Sequence, residues 1–249
     1  MRIAIVGLGR MGSVAAATAT ASGHQVTLRI DPYSDQADAK TLEPVHAGQC
    51  DIAVEFSVAE AVVENAGRYV RAGIPAVVGT TGWNEREADV QTMVADSQIG
   101  YLHAPNFSIG VQVFMRVAAY ATTLFDALGE YDTAIFERHH RRKADSPSGT
   151  ALALGQAVLA SSSRKHRLAT ERLDRSIEED ELHVASVRGG DEPGTHTLVF
   201  DSAQDTIELV HRARGREALA AGAIRCAQWL HGRQGFFTIE DFLADLLPT

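Results

Sequence analysis

Arg2-Ile3-Ala4-Ile5-Val6-Gly7-Leu8-Gly9-Arg10-Met11-Gly12 opens the chain and carries its clearest fold signal. A short apolar run ended by glycine is the mark of a buried parallel strand. Gly7, Gly9 and Gly12 then fit G-x-G-x-x-G, and an alanine-rich helix pattern runs from about Met11 to Ala21, where Gly23 stops it. A second strand pattern, Gln25 to Ile30, closes on Asp31, at the spacing a dinucleotide fingerprint requires. The physical logic is direct. Without β-carbons, Gly7 and Gly9 let the backbone approach a pyrophosphate, Gly12 lets helix and strand pack closely, and the helix start offers free N–H groups. Leu8, Arg10 and Met11 complete the loop. Asp31 is placed to accept hydrogen bonds from the adenosine ribose and to repel a 2′-phosphate. The expected cofactor is therefore NADH or NADPH, with NADH at least as good.

Moving outward, Ile52 to Phe56, Ala76 to Gly79 and Ile99 to His103 read as three more strands. Ser57 with Glu60, and Asn84 with Glu87, read as capping boxes that open helices running to about Ala72 and Asp96. No element is assigned between Asp31 and Gly48, which is polar and irregular. The alternation predicts an α/β fold whose N-terminal part is a Rossmann-type, doubly wound parallel sheet. Ligands of such sheets sit at the carboxyl ends of strands. Gly79, Thr80 and Thr81 after the fourth strand, and Ala104, Pro105, Asn106 and Phe107 after the fifth, are therefore further cofactor candidates.

The pattern changes after Asn106. A long helix (Val111 to Leu128), a strand (Tyr131 to Arg138), a helix (Thr150 to Ala160) and three strands (Leu182 to Arg188, His196 to Ser202, Thr206 to Arg212) predict a second, α+β domain carrying a mostly antiparallel sheet. Two helices, about Glu217 to His231 and Ile239 to Leu247, close the chain, and their apolar faces suit a return to the first domain. The division expected is residues 1–108 plus 217–249 for the dinucleotide, and 109–216 for substrate and oligomerisation. The run Arg164-Lys165-His166-Arg167 reads as a solvated loop.

Composition narrows the function classes. The 249 residues are 45% hydrophobic and 22% charged, which suits a folded globular chain, and the net charge of -9 gives no overall attraction for nucleic acid or an anionic membrane. Cys50 and Cys226 make neither a disulfide framework nor a metal-type pair, and no metal is expected. With no signal-peptide core or membrane-length apolar run, the cytoplasm is the expected compartment.

The chemistry concentrates in Glu137-Arg138-His139-His140-Arg141-Arg142-Lys143-Ala144-Asp145-Ser146-Pro147-Ser148-Gly149-Thr150-Ala151. Four formal positive charges and two histidines occupy residues 138–143 of an acidic protein. Such self-repulsion calls for an anion, and Ser148-Gly149-Thr150 at a helix start supplies N–H groups and a hydroxyl suited to a carboxylate.

This stretch is similar to the signature of the dihydrodipicolinate reductases. Supporting motifs follow in family order: Gly9-Arg10-Met11-Gly12, Gly79-Thr80-Thr81-Gly82, Ala104-Pro105-Asn106-Phe107-Ser108, Ser186-Val187-Arg188-Gly189-Gly190 and Gly194-Thr195-His196-Thr197. The resemblance covers nearly the whole chain. It departs at Leu8, where many members carry a small residue, and at Ser146, which replaces an alanine. It implies His139 as proton donor or acceptor and Lys143 as second proton donor. It also implies His140, Ser148, Gly149, Thr150 and Arg216 as substrate-binding residues. The implied reaction is reduction of the cyclic dicarboxylate 4-hydroxy-tetrahydrodipicolinate with loss of water, in the diaminopimelate route to lysine, by a homotetramer. Because the cofactor motifs end near Ser108 and the acid groups begin at His139, the two domains are expected to close over the substrate. Two other readings stand beside it. A β-hydroxyacid-type dehydrogenase shares Gly7-Leu8-Gly9-x-Met11-Gly12 but calls for an all-helical second domain. A non-enzymatic nucleotide sensor needs no acid groups beside an anion site.

Overall fold

The computed structural model describes residues 1–43 and 46–247. The backbone divides into two compact units, Met1–Ile109 with Arg216–Thr249, and Gly110–Gly215.

The first unit is built on a six-stranded parallel sheet in the order β11-β5-β4-β3-β1-β2, from β1 (Arg2–Val6), β2 (Gln25–Ile30), β3 (Ile52–Glu55), β4 (Ala76–Val78), β5 (Gly100–His103) and β11 (Gly235–Thr238). Alternation along each strand sends side chains to opposite faces. Ile3 and Ile5 enter one core with α1 (Arg10–Ala21), α6 (Glu217–Leu230) and α7 (Ile239–Leu246). Ala4 and Val6 enter another with α2 (Ala59–Ala72) and α3 (Glu87–Ala95). The closing helices thus belong to the first unit. β11 was not foreseen: its four residues, Gly235-Phe236-Phe237-Thr238, are too short to announce a strand between two helices. Neither expected capping box forms. α2 starts one residue beyond the expected cap, on Val58, because the Ser57 hydroxyl is taken by the buried Glu55 carboxylate. Asn84 instead opens a one-turn 3-10 segment, Asn84–Arg86, and Arg86 precedes α3. Asp31 to Gly48 is irregular as expected, apart from single bridges such as Ile30 with Ala39; Pro44 and Val45 lie outside the described residues.

The second unit has a five-stranded sheet, β10-β9-β6-β8-β7, from β6 (Asp132–His139), β7 (Arg167–Ala169), β8 (Glu181–Arg188), β9 (Thr195–Asp201) and β10 (Thr206–Arg212). The antiparallel expectation holds for β10-β9-β6 and fails for β6-β8-β7, which pairs in parallel. The sheet is mixed because β6, earlier in sequence, inserts between β8 and β9 and prevents them from forming a hairpin. α4 (Ile109–Leu128) and α5 (Gly149–Ser161) cover one face, packing Ala118, Leu154 and Val158 on Ile135, Leu182, Val184, Leu198 and Phe200. The other face carries Ala134, Phe136, Ala185, Thr197 and Val199. Phe136 stays 41% exposed and Val187 44%. The run 164–167 is not simply solvated. Lys165 is 4% exposed, donates to the carbonyls of Glu179 and Glu181, and pairs with Asp132. Among the described residues, no helix is long and apolar enough to cross a membrane.

Candidate active site

In the first unit, the glycine loop joins the carboxyl end of β1 to α1. Gly7 takes φ +84, and its amide donates to Ile30 at 2.8 Å. A β-carbon on Gly12 would fall on the Gly7 carbonyl, so that position must be glycine for α1 to start so close to the strand. Gly9 differs: no protein atom lies within 4 Å of where its β-carbon would stand. The chain itself does not require glycine there, whereas a pyrophosphate approaching the backbone does. α1 has no side-chain cap and no acidic residue in its first turn. Its N-terminal amides are thus left to a ligand, and the residues fit a dinucleotide.

Asp31, the expected ribose acceptor, is also engaged within the chain. One of its oxygens accepts from the Leu8 amide at 2.8 Å, the other from Tyr33 and Ser34 at 2.8 and 3.0 Å. Burial would raise this carboxyl, but those amides and the nearby Lys40 outweigh it and hold the group below its ordinary value. Asp31 therefore keeps its charge, ties the glycine loop to β2, and retains acceptor capacity, since a carboxylate offers about four lone-pair sites. Lys40, from the unassigned stretch, is a basic neighbour the sequence did not disclose. Gly79 lies under the Phe56 ring, and Phe56 meets Phe107 edge-on at 6.4 Å. The Thr80 hydroxyl accepts from the Ser57 amide at 2.9 Å. Thr81 and Pro105 are exposed, Ala104 is buried, and the Asn106 side chain caps the Ser108 amide at 2.9 Å. The motifs after β1, β4 and β5 all lie at carboxyl ends of strands of the one parallel sheet, with β3 between β4 and β1.

In the second unit, a row of side chains crosses the covered face of the sheet. His211 of β10 is opposite His196 of β9, which is opposite Glu137 of β6, which is opposite Ser186 of β8. His139, two residues along β6, lies on the same face. Glu137 is 0% exposed and His139 8%. One Glu137 oxygen accepts from His139 Nδ1. The other accepts from Arg188 at 2.7 Å and from the Ser148 amide at 3.1 Å. Burial alone would raise the Glu137 carboxyl, but Arg188, Ser186, His139 and the Ser148 amide hold it below its ordinary value. Burial lowers His139, only partly offset by Glu137. His196 is pushed down to about 4 by burial, with His139 and His211 adding to the effect. The Ser148 hydroxyl caps α5 through the Ala151 amide and lies 3.2 Å from His196 Nε2.

The positive run finds partners within the chain. Arg142 pairs with Asp191 at 2.6 Å, Arg138 with Glu192 at 3.5 Å, and Lys143 with Asp145 at 2.8 Å. The anions that the run calls for are thus partly the chain's own carboxylates. Lys143, then the backbone amides of Asp145 itself and of Gly149, converge on the Asp145 carboxylate and hold it below its ordinary value against its partial burial. His140 and Thr150 are half-buried and Gly149 is exposed. Arg216 is an exposed residue at the N-cap of α6, in the first unit. Glu137, Arg188, Gly194 and His196 lie inside quoted motifs, yet the sequence reading gave them no role. The available signal was period two: Ile135, Glu137 and His139 share one face of a strand, so a core-facing carboxylate was visible.

Glu137, His139 and His196 bring three ligand-type atoms within 4.8 Å of one another. No metal is assigned here, because both Glu137 oxygens are occupied and the Arg188 cation stands beside them.

A Rossmann unit with a bare helix start, joined in one chain to an α+β unit with a histidine–lysine cluster, defines a nicotinamide-dependent oxidoreductase of the two-unit class. Family models give the particular group. Residues 1–107 match dihydrodipicolinate reductase, N-terminus, and residues 110–243 match dihydrodipicolinate reductase, C-terminus. The chain belongs to the dihydrodipicolinate reductase family. It is 35% identical over 246 residues to the 4-hydroxy-tetrahydrodipicolinate reductase of Christiangramia forsetii, covering 99% of each chain. It is 36% identical over 260 residues to that of Archaeoglobus fulgidus, covering 98% of this chain and 100% of the relative. The fold is also that of the dipicolinate-bound dihydrodipicolinate reductase from Paenisporosarcina sp. TG-14. There the TM-score is 0.78 at 22% identity, covering 96% of this chain and 97% of the other. The mixed sheet of the second unit removes the all-helical second domain that a β-hydroxyacid dehydrogenase requires.

Proposed function

We propose that the protein reduces 4-hydroxy-tetrahydrodipicolinate to tetrahydrodipicolinate, with loss of water, using NADH or NADPH. The carrying observation is that Lys143 and the Gly149 amide already converge on a carboxylate, that of Asp145, at the start of α5. A dicarboxylate substrate needs such cations and N–H donors, and its reaction needs a positioned acid. A bound nicotinamide supplies the hydride. His140, Ser148, Gly149 and Thr150, with Arg216, hold the substrate carboxylates, and His139 and Lys143 deliver protons. Gly7 to Gly12, Asp31, Gly79 to Thr81 and Ala104 to Phe107 hold the dinucleotide. Residues 1–108 with 217–249 act as the cofactor domain, and 109–216 as the substrate and assembly domain.

Asp31 keeps its charge and has acceptor capacity left, which favours NADH being used at least as well as NADPH. The apolar, open sheet face around Phe136 and Val187 suits burial between subunits of a homotetramer, and the enzyme works in the cytoplasm. The test supplies the aldol product of pyruvate and aspartate semialdehyde and follows nicotinamide absorbance with each cofactor, light scattering giving the mass. Absorbance that does not fall overturns the activity. A tenfold advantage for NADPH overturns the cofactor preference.

A further inference from the structure

The reading just given uses His139 but leaves Glu137 without a task, although Glu137 is the more deeply buried of the two. A carboxylate removed from water is costly unless its oxygens are fully engaged. Here they are, by His139 Nδ1, Arg188 and the Ser148 amide. We propose that Glu137 is a positioning residue for catalysis, a buried carboxylate that fixes which nitrogen of His139 meets the substrate and stabilises the imidazolium.

The argument is one of valence and direction. Glu137 is held below its ordinary pKa, so it is ionised and can only accept. Neutral His139 must therefore carry its proton on Nδ1, and Nε2 is left as the atom that takes up and gives away the working proton. Nε2 points past Gly194: a β-carbon there, at φ +149, would stand 2.7 Å from it. Only glycine at 194 leaves Nε2 free of a side-chain clash on that edge, while Glu137 holds the Nδ1 edge. Arg188 and the Ser148 amide fix the carboxylate in turn, and Arg188 also donates to the Asp145 carbonyl at 2.6 Å. Glu137 keeps its charge throughout. The proton moves only between Nε2 and the substrate.

The inference rests on the proposed role of His139, so the experiment separates the two. The kcat of the wild-type protein, Glu137→Gln and His139→Gln is followed against pH with NADH. An acid that must be protonated loses activity as pH rises through its pKa. In Glu137→Gln the attraction for the imidazolium is gone, so the fall is expected to begin at lower pH. The kcat at neutral pH should drop by roughly 100-fold, with the KM for NADH changed by less than about threefold. His139→Gln should remove this limb altogether. If the limb survives in His139→Gln, the role of His139 fails and takes the inference with it. If it vanishes there while Glu137→Gln keeps wild-type kcat and profile, the positioning role alone is overturned. Histidine nitrogen NMR of the wild-type protein, with His139 assigned by difference from His139→Gln, needs no folded Glu137 variant. Protonation of neutral His139 on Nδ1 is expected, and on Nε2 would overturn the proposal.

Discussion

The N-termini of α1 and α5 are built in opposite ways. α1 begins on a glycine loop with no side-chain cap, no first-turn acid and open space around Gly9. α5 begins among side chains. Ser148 caps it, its amide is spent on Glu137, and Lys143 and Asp145 stand at the Gly149 amide. A backbone site of the first kind recognises any pyrophosphate and owes little to side-chain chemistry. A site of the second kind has its charges and proton positions set in advance, which selectivity and acid chemistry require.

If that contrast is real, damage at the two places separates kinetically. The largest effect is expected from Lys143→Met. Turnover should fall by about 100-fold or more, as loss of a positioned acid does, while NADH affinity, measured by fluorescence titration, barely moves. Near-wild-type kcat and KM would show that the basic cluster is not the active site. Gly12→Ala should do the reverse. Its β-carbon meets the Gly7 carbonyl, so the helix start must retreat, and NADH affinity is expected to fall about tenfold or more. The wrapped site should also sense pH through stability. His196 has a folded pKa of about 4, below the unfolded value near 6.5, so the unfolded chain binds more protons between these limits. Stability is therefore full above about pH 6.5 and declines as pH falls towards 4. Thermal melts across that range should show the loss, and His196→Asn should flatten it. The smallest effect is Ser148→Ala, which removes the α5 cap and should cost about 1 kcal/mol in denaturant unfolding. An unchanged midpoint would mean that the Ser148 amide and Glu137 alone hold the helix start.

The same contrast explains what the sequence made legible. The first unit was readable, β11 apart, because its strands, helices and glycines carry their signals locally. Gly7, Gly12 and Asp31 mean the same thing in one chain as in another. The capping box expected at Ser57 is lost to a neighbour two residues back, because Glu55, buried and also held by Asn65 and Tyr69, takes the hydroxyl, while Asn84 opens the 3-10 segment instead. In the second unit the elements were legible except β7, whose three residues follow a charge run that reads as a loop, but their order was not. No local pattern tells β6 to lie between β8 and β9, and the facing of Glu137, Ser186 and His196 follows from that order alone. The stretch 137–151 stood out in the sequence through its charge and its resemblance, but not the partners that Glu137 gathers. Lys40 near Asp31, and Lys165 buried against the carbonyls of Glu179 and Glu181, could be found only in three dimensions.

The row His211, His196, Glu137 and Ser186 has a consequence for how this chain can change length. Each member occupies an inward position on its strand, and each is matched to its neighbour by register. One residue inserted into β6 ahead of Glu137 would turn Glu137 and His139 to the open face and carry Phe136 and Arg138 inward. The stretch between Asp31 and Gly48 has no such parity to keep, and a loop of that kind can gain or lose residues singly. Strands of the second unit can lengthen within the sheet only by even steps, so insertions and deletions among descendants of this chain should gather in the irregular stretch after β2 and spare the four strands of the row.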